Sequence, residues 1–399
     1  MRAAVPHSPA NLDPMDTEGS PPGAAEPGSR PFAVYADAVS HALRLERARA
    51  RMEAIGVDVL MLSVGADLPY LIGYEAMPLE RLTMLVLPRE GAATLVVPEL
   101  EAPRVVPEPD AFTIRPWSET EDPVAIVAAL SAGAGRIAID DRTWARFVLA
   151  LQGALPGAAF GPGRDVVGEL RLKKDAAEIL ALRAAAHAVD TVAAEMRTRP
   201  FAGRTELDVH RELVDRMLEQ GHQRPNFAIV ASGPNGASPH HDPAGRVIED
   251  GDVVLCDFGG TMAGYCSDIT RMFVVGEPAA EVADAYSVLQ VAQEEAFLAA
   301  TVGTPCEAVD AAARSVITDA GFGANFMHRT GHGIGVEEHE DPYIVHGNAT
   351  PLEPGFAFSI EPGIYLPGRF GLRLEDIVVA TDAGPDRLNC ASRDLAVVG

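Results

Sequence analysis

Carboxylates set among apolar strand residues are the chemistry-bearing feature of this chain. Val253 to Arg271 reads VVLCDFGGTMAGYCSDITR, two strand-like runs around a Gly-rich turn at Gly259, Gly260 and Gly264, which is a hairpin signature. Asp257 sits near the end of the first strand and Asp268 in the second. Their separation, 268 − 257 = 11, lets both point to one face of the paired strands. An aspartate is costly to bury unless it is paired or bound to a metal. Two that face each other repel, and a divalent cation between them removes that penalty. The plainer alternative is a pair of solvated aspartates flanking a turn at a sheet edge.

Three more segments carry related groups. His328 to Pro342, HRTGHGIGVEEHEDP, places His328, His332 and His339 within twelve positions of a Gly-rich loop. It is not a H-E-x-x-H helix, because Tyr343 stands where the second histidine would be. Nor is it a phosphate cradle, since no Lys or Ser/Thr follows the glycines as in a P-loop. FSIEPGIY contributes Glu361, and GLRLEDIVV contributes Glu375 and Asp376. In the last segment Arg373, Glu375 and Ile377 alternate with Leu372, Leu374 and Asp376, so Glu375 shares a face with Arg373 and is expected to stay ionised. Singly, each glutamate reads more readily as a salt-bridged strand residue than as a ligand. Together, two Asp, two Glu and one His beside apolar strands make a sensible dinuclear site. Bridging carboxylates can hold two divalent ions about 3.5 Å apart, a spacing suited to activating a shared water. Mostly hard oxygen donors favour manganese, with cobalt or zinc also compatible.

The elements that must position these groups can be read coarsely. Residues 1–31 hold seven prolines and cannot bury enough surface to fold, so an unfolded tail is expected. A helix is expected from about Pro31 to Gly56. Strands follow at Val57 to Val64, Leu82 to Leu87 and Thr94 to Val97, then a helix at Pro123 to Leu130 and a strand at Arg136 to Ile139. Strands alternating with helices predict an α/β unit over 32–165. Apolar spacing predicts one long helix over Leu170 to Arg197, and Thr205 with Asp208 resembles a capping box for the next, which stops near Gly221. Strand signals then run from Asn226 to Val275, two helices cover about 280–300 and 305–320, and strands return from Phe356 to Ala380. That order predicts an α+β unit of mainly antiparallel sheet over 170–399.

Composition narrows the function. The formal net charge of −25 disfavours partners rich in phosphate, both nucleic acid and anionic lipid. No apolar run is long enough for a membrane span, and the N-terminus lacks a secretory signal. Cys256, Cys266, Cys306 and Cys390 form no C-x-x-C pair, so free thiols and a reducing, cytoplasmic setting are expected.

The ordered series SPHH, CDFGG, YCSDITR, HRTGHGIG, EEHEDP, SIEPGIY and RLEDIVV resembles the creatinase/aminopeptidase family, specifically its Xaa-Pro peptidase branch of prolidase and aminopeptidase P. The resemblance is strong from Leu172 to Val397 and weaker before it. It implies a pita-bread catalytic domain preceded by a smaller creatinase-like α/β domain, and a homodimer. It implies Asp257, Asp268, His332, Glu361 and Glu375 as ligands of two divalent ions per subunit. His240 and His339 match histidines that contact substrate and steady the tetrahedral intermediate, with His241 as the neighbouring option for the first. Glu361 is implied as general acid–base, and Arg373 as a residue that orients ligand carboxylates. Tyr343 occupies the place after Pro342 where many prolidases carry an arginine that meets a dipeptide's carboxylate; Arg369 is a possible substitute. The implied reaction is hydrolysis of an Xaa-Pro bond in dipeptides or short peptides by a metal-bridging hydroxide. Two alternatives stay open: hydrolysis or lysis of a small non-peptide amide or osmolyte on the same scaffold, and a non-enzymatic binding module.

Overall fold

A computed structural model describes residues 40–399. The expected tail, 1–31, and the first turns of the helix expected from Pro31 lie outside the described residues.

The first unit begins with helix α1 (His41–Ile55), capped by the Ser40 hydroxyl and closed by Gly56 in the left-handed region. It continues through β1 (Val59–Leu62), α2 (Asp67–Ile72), β2 (Met84–Pro88), β3 (Ala93–Pro98), β4 (Phe112–Trp117), α3 (Pro123–Leu130), β5 (Arg136–Ile139), α4 (Ala145–Ala154), β6 (Ala159–Pro162) and α5 (Arg164–Leu172). Six strands form one mixed sheet in the order β4-β3-β2-β1-β5-β6. The expected strands are present. The edge strands β4 and β6 were not read from sequence, because each is half exposed and carries a proline, so its apolar signal is weak.

The second unit starts with α6 (Ala176–Met196), α7 (Glu206–Glu219), β7 (Arg224–Ser232), β8 (Val253–Met262), β9 (Tyr265–Cys266) and β10 (Ile269–Val275). Helices α8 (Ala280–Ala299) and α9 (Cys306–Asp319) follow. Then come β11 (Gly331–Gly333), β12 (Glu340–Ile344), β13 (Ala357–Ile360), β14 (Gly363–Leu366), β15 (Phe370–Arg373), β16 (Asp376–Thr381), β17 (Gly384–Arg387) and β18 (Ala396–Val398). One sheet runs β18-β10-β8-β7 with β9 on β8, a second runs β12-β11-β13-β16-β17, and β14 pairs with β15. All these pairs are antiparallel except β10 with β18. One core packs α8 and α9 against both sheets through residues such as Leu289, Ile317 and Phe358. Another packs α6 and α7 on the opposite side of the first sheet through Val189, Leu213 and Phe258.

Two local expectations are corrected. The helix expected over Leu170 to Arg197 is two helices, α5 and α6. Asp175 caps the second in a full capping box with Glu178, and the Lys174 N–H is held by the Gly355 carbonyl. In the hairpin, Gly259 and Gly260 lie inside β8, and the turn is Ala263–Gly264, both with positive φ. A Cβ on Gly260 would stand 2.6 Å from the Arg224 carbonyl oxygen, and one on Gly259 would strike that of Ser267. These glycines permit close strand approach; they do not make the turn. No helix among the described residues is long and apolar enough to cross a membrane.

Candidate active site

The hairpin delivers the first two carboxylates. Asp257 on β8 pairs in register with Thr270 on β10. Asp268 lies in the gap between β9 and β10, beside the side-chain-free Gly259, and is not itself a strand residue. Thr270 also bridges to Glu375, which sits in the link between β15 and β16. His332 comes from β11, which pairs with β13, and β13 leads into Glu361. The Glu361 N–H donates to the Thr330 carbonyl at 2.8 Å, tying that glutamate to the histidine loop. Strands of both sheets thus converge on one buried point.

Ligand atoms of Asp268, His332 and Glu375 lie within 4.8 Å of one another. His332 Nε2 is 3.3 Å from Glu361 Oε1 and 3.7 Å from Asp268 Oδ2. Its Nδ1 faces the Gly333 carbonyl at 3.1 Å, an acceptor only, so Nδ1 carries the proton and Nε2 presents a lone pair to the carboxylates. Asp257 Oδ2 accepts from Arg373, and Glu375 Oε2 accepts from Thr270 Oγ1 at 2.7 Å. Asp257 Oδ1, Asp268 Oδ1 and Glu375 Oε1 are buried with no hydrogen-bond partner. Orphaned carboxylate oxygens and an unpartnered imidazole lone pair gathered in one place are costly in a protein interior. They fit divalent cations, because a cation removes all of these penalties at once.

The electrostatics agree. Burial, then Glu375, Asp257 and Glu361, pushes Asp268 well above the ordinary aspartate range. Burial, then Glu361 and Asp257, does the same to Glu375. Arg373 opposes this rise at Glu375, as their shared face leads one to expect, but burial is the larger influence. The guanidinium donates to Asp257, and the surrounding carboxylates outweigh it at Glu375. Glu361 is pushed up to about 7, chiefly by burial, with Arg373 opposing and Asp257 assisting. Burial and the nearby His339 push His332 down to about 3, which keeps it neutral.

Around this centre, Arg373 is the main organiser. It donates to Asp257, to Tyr365 Oη at 2.8 Å and to the Pro239 carbonyl, fixing the residue before His240. The structure separates the two adjacent histidines. His240 is exposed and close enough to His328 and His339 to influence both, whereas His241 Nε2 is held 2.8 Å from the buried Glu206. The His339 ring lies 4.1 Å from the His332 ring, centroid to centroid. Tyr343 sits beneath the guanidinium of Arg329, and Arg369 is paired with Glu281 on the surface. Thr270, Tyr365 and Ser359, which touch Glu375, Arg373 and Glu361, were not found from the sequence. Each looks like an ordinary strand residue; SIEPGIY spans Ser359 and Tyr365 and YCSDITR spans Thr270, but nothing in those motifs marks them out. Cys256 lies in the core under α6 and α7, on the side away from Asp257.

Residues 180–382 match the model of metallopeptidase family M24, and residues 44–173 match that of the creatinase/prolidase N-terminal domain. The chain is 45% identical to the probable dipeptidase PepE of Mycobacterium tuberculosis, over 93% of this chain and 99% of that protein. The crystal structure of dipeptidase PepE from Mycobacterium ulcerans superposes with a TM-score of 0.83 at 44% identity, covering 92% of this chain and 99% of that one. A prolidase from Thermococcus sibiricus gives a TM-score of 0.84 at 38% identity, covering 90% and 99%. The chain belongs to the M24 metallopeptidases, enzymes that use divalent metal ions, and carries their pita-bread catalytic domain behind a creatinase-like N-terminal α/β domain.

Proposed function

We propose that this enzyme hydrolyses the Xaa-Pro bond of dipeptides or short peptides, with Asp257, Asp268, His332, Glu361 and Glu375 holding two divalent ions. The observation that carries this reading is the set of three orphaned carboxylate oxygens together with the convergence of ligand atoms of Asp268, His332 and Glu375 within 4.8 Å of one another. Ions held there would supply Lewis acidity, lowering the pKa of a bound water and polarising the scissile carbonyl. The protein's own groups do the rest. Glu361, whose Oε1 lies 3.3 Å from His332 Nε2, takes a proton from the attacking water and returns it to the leaving nitrogen. A proline nitrogen in a peptide bond has no N–H of its own, so this delivery completes its departure. His240 and His339 donate to the oxygen that gains charge. Burial and Arg329 hold His339 below the usual histidine range, so it acts as a neutral N–H donor.

The relatives named dipeptidase and prolidase support the substrate class. The oxygen-rich donor set supports manganese as the preferred ion. The free thiols support a cytoplasmic setting, and the family resemblance supports a homodimer with its two domains meeting between 165 and 170. A panel of Xaa-Pro dipeptides, longer Xaa-Pro peptides and non-proline amides, each with Mn²⁺, Co²⁺ or Zn²⁺, tests the reading. Cleavage of the dipeptides is expected. Turnover of small non-peptide amides alone would move the assignment to the other chemistry open to this scaffold.

A further inference from the structure

Away from the carboxylate-rich centre, a second group of metal-ligating side chains converges. His187, Asp190 and Cys390 each offer a ligand atom, and these atoms lie within 4.8 Å of one another. His187 and Asp190 stand one turn apart on the same face of α6. Cys390 arrives from the segment between β17 and β18, 200 positions after Asp190.

Both sides of this cluster are held in place by the rest of the fold. Asp190 is buried, and its Oδ2 accepts from the Cys390 N–H at 2.6 Å while its Oδ1 accepts from Asn389 Nδ2 at 3.2 Å. Asn389 Oδ1 accepts in turn from the Ile377 N–H at 2.7 Å. On the other flank of Cys390, the Ala391 and Ser392 carbonyls each accept from Arg271 at 3.0 Å. Arg271 also donates to the Glu375 carbonyl. The backbone of Cys390 is thus pinned from both directions, whereas Cys390 and His187 themselves are exposed. The other three cysteines are buried.

The donor types decide which ion suits them. A thiolate, an imidazole and a carboxylate oxygen are a softer set than the oxygen-rich centre, and such donors select zinc over manganese. The thiolate and the carboxylate carry two negative charges and the imidazole none, so a dication leaves the group neutral. Three protein ligands leave the fourth tetrahedral position to water. In the protein alone the thiol donates to Asp190, which holds Cys390 above the ordinary cysteine range. Zinc replaces that proton. The S–H bond breaks, the sulfur electron pair forms the Zn–S bond, and the proton leaves to solvent.

We propose that His187, Asp190 and Cys390 form a separate metal site for Zn²⁺ or another thiophilic dication, fastening helix α6 to the segment that Arg271 ties to Glu375. It stands whether or not the enzyme cleaves Xaa-Pro bonds.

Co²⁺ is the probe, because a thiolate ligand gives it a strong near-ultraviolet charge-transfer band that oxygen and nitrogen ligands do not. Mn²⁺-loaded enzyme is titrated with Co²⁺ in a thiol-free reductant. The band should saturate at one sulfur-bound ion per subunit, and Zn²⁺ should bleach it. Cys390→Ser should abolish the band. His187→Ala should raise the Co²⁺ concentration needed at least tenfold, since residues that merely orient a ligand are worth about 10–100-fold in affinity. Both residues are exposed, so neither change threatens the fold, and turnover of the Mn²⁺-loaded variants should match the wild type. Asp268→Ala, which strips the carboxylate-rich centre, should keep the band. A wild type with no band, or a band that survives Cys390→Ser, would overturn the assignment. So would a titration that His187→Ala leaves unchanged, because the ion would then be held by a thiol alone.

Discussion

Two groups of buried carboxylates are touched by adjacent strands, His332 of β11 meeting one and Glu340 of β12 belonging to the other, and they are treated in opposite ways. Glu340 in β12 receives Lys174 Nζ at 2.5 Å and also Arg171, which reaches Asp67 at 2.6 Å and Glu337 at 2.5 Å. Arg142 also meets Glu337. Three acids there face three bases. Burial alone would raise the Glu340 carboxyl, yet Lys174 and Arg171 hold it below its ordinary range. Around His332, four carboxylates face the single guanidinium of Arg373, and Asp268, Glu361 and Glu375 are all pushed up. Burying acid is common to both regions. The supply of positive charge separates a structural cluster, complete in itself, from a site three charges short, a deficit that divalent ions cover.

The sharpest way to break this contrast is Asp268→Ala. At the deficient site it should abolish turnover and lower the bound metal per subunit, read by elemental analysis, while the fold survives because a repulsive acid has been removed. A variant with full turnover would be incompatible with the site. Glu340→Gln should do the reverse. It strips the acid from Lys174 and Arg171 and leaves buried positive charge, at a cost of about 3–5 kcal/mol of stability in a denaturant titration. Metal content of whatever remains folded should be unchanged. His339→Gln comes next. It should lower kcat about 10²–10³-fold, the usual loss for one donor to a developing oxyanion, with metal content retained. A change confined to KM would remove His339 from that role.

The sequence revealed these two regions unequally. The residues of the deficient site lie in or directly beside strands, and an acid amid Val, Ile and Leu is conspicuous because it is out of place. The complete cluster was invisible. Glu340 reads as one more acid in EEHEDP, and its partners Arg171 and Lys174 lie 169 and 166 positions earlier. Lys174 was also hidden inside what apolar spacing made one continuous helix, although the D-x-x-E capping box at Asp175 marked the break. Thr270 and Tyr365 were missed for a related reason. Their value comes from the strand pairing that sets Thr270 beside Glu375 and the bend that turns Tyr365 toward Arg373, and neither follows from spacing along one strand. The overall order of helices and strands was legible because period and turn residues are local. Edge strands β4, β6 and β17 were not, since half-exposed strands lose the alternation on which the reading depends.

The gentlest test of the contrast is pH. In chelated protein, Glu361 is raised from an ordinary value of 4.5 to about 7, and Asp268 and Glu375 are raised too. For acids whose folded pKa lies above the unfolded one, stability is fully present below the unfolded value and is lost as pH rises through the folded value. Glu340 has the opposite sign. Its contribution is present above about 4.5 and fades only as pH falls below that toward its depressed folded value. Between pH 5 and pH 7, then, Glu340 itself contributes a constant amount while the centre grows steadily more repulsive. The melting temperature of chelated protein should fall by a few degrees over that interval, and Mn²⁺-loaded protein should not follow it. The gap between the two forms should widen toward neutral pH, where the carboxylates no longer share their site with protons. A gap that stayed the same at pH 5, 6 and 7 would mean that the orphaned oxygens of the centre are solvated after all, and that the two regions differ less than their geometry says.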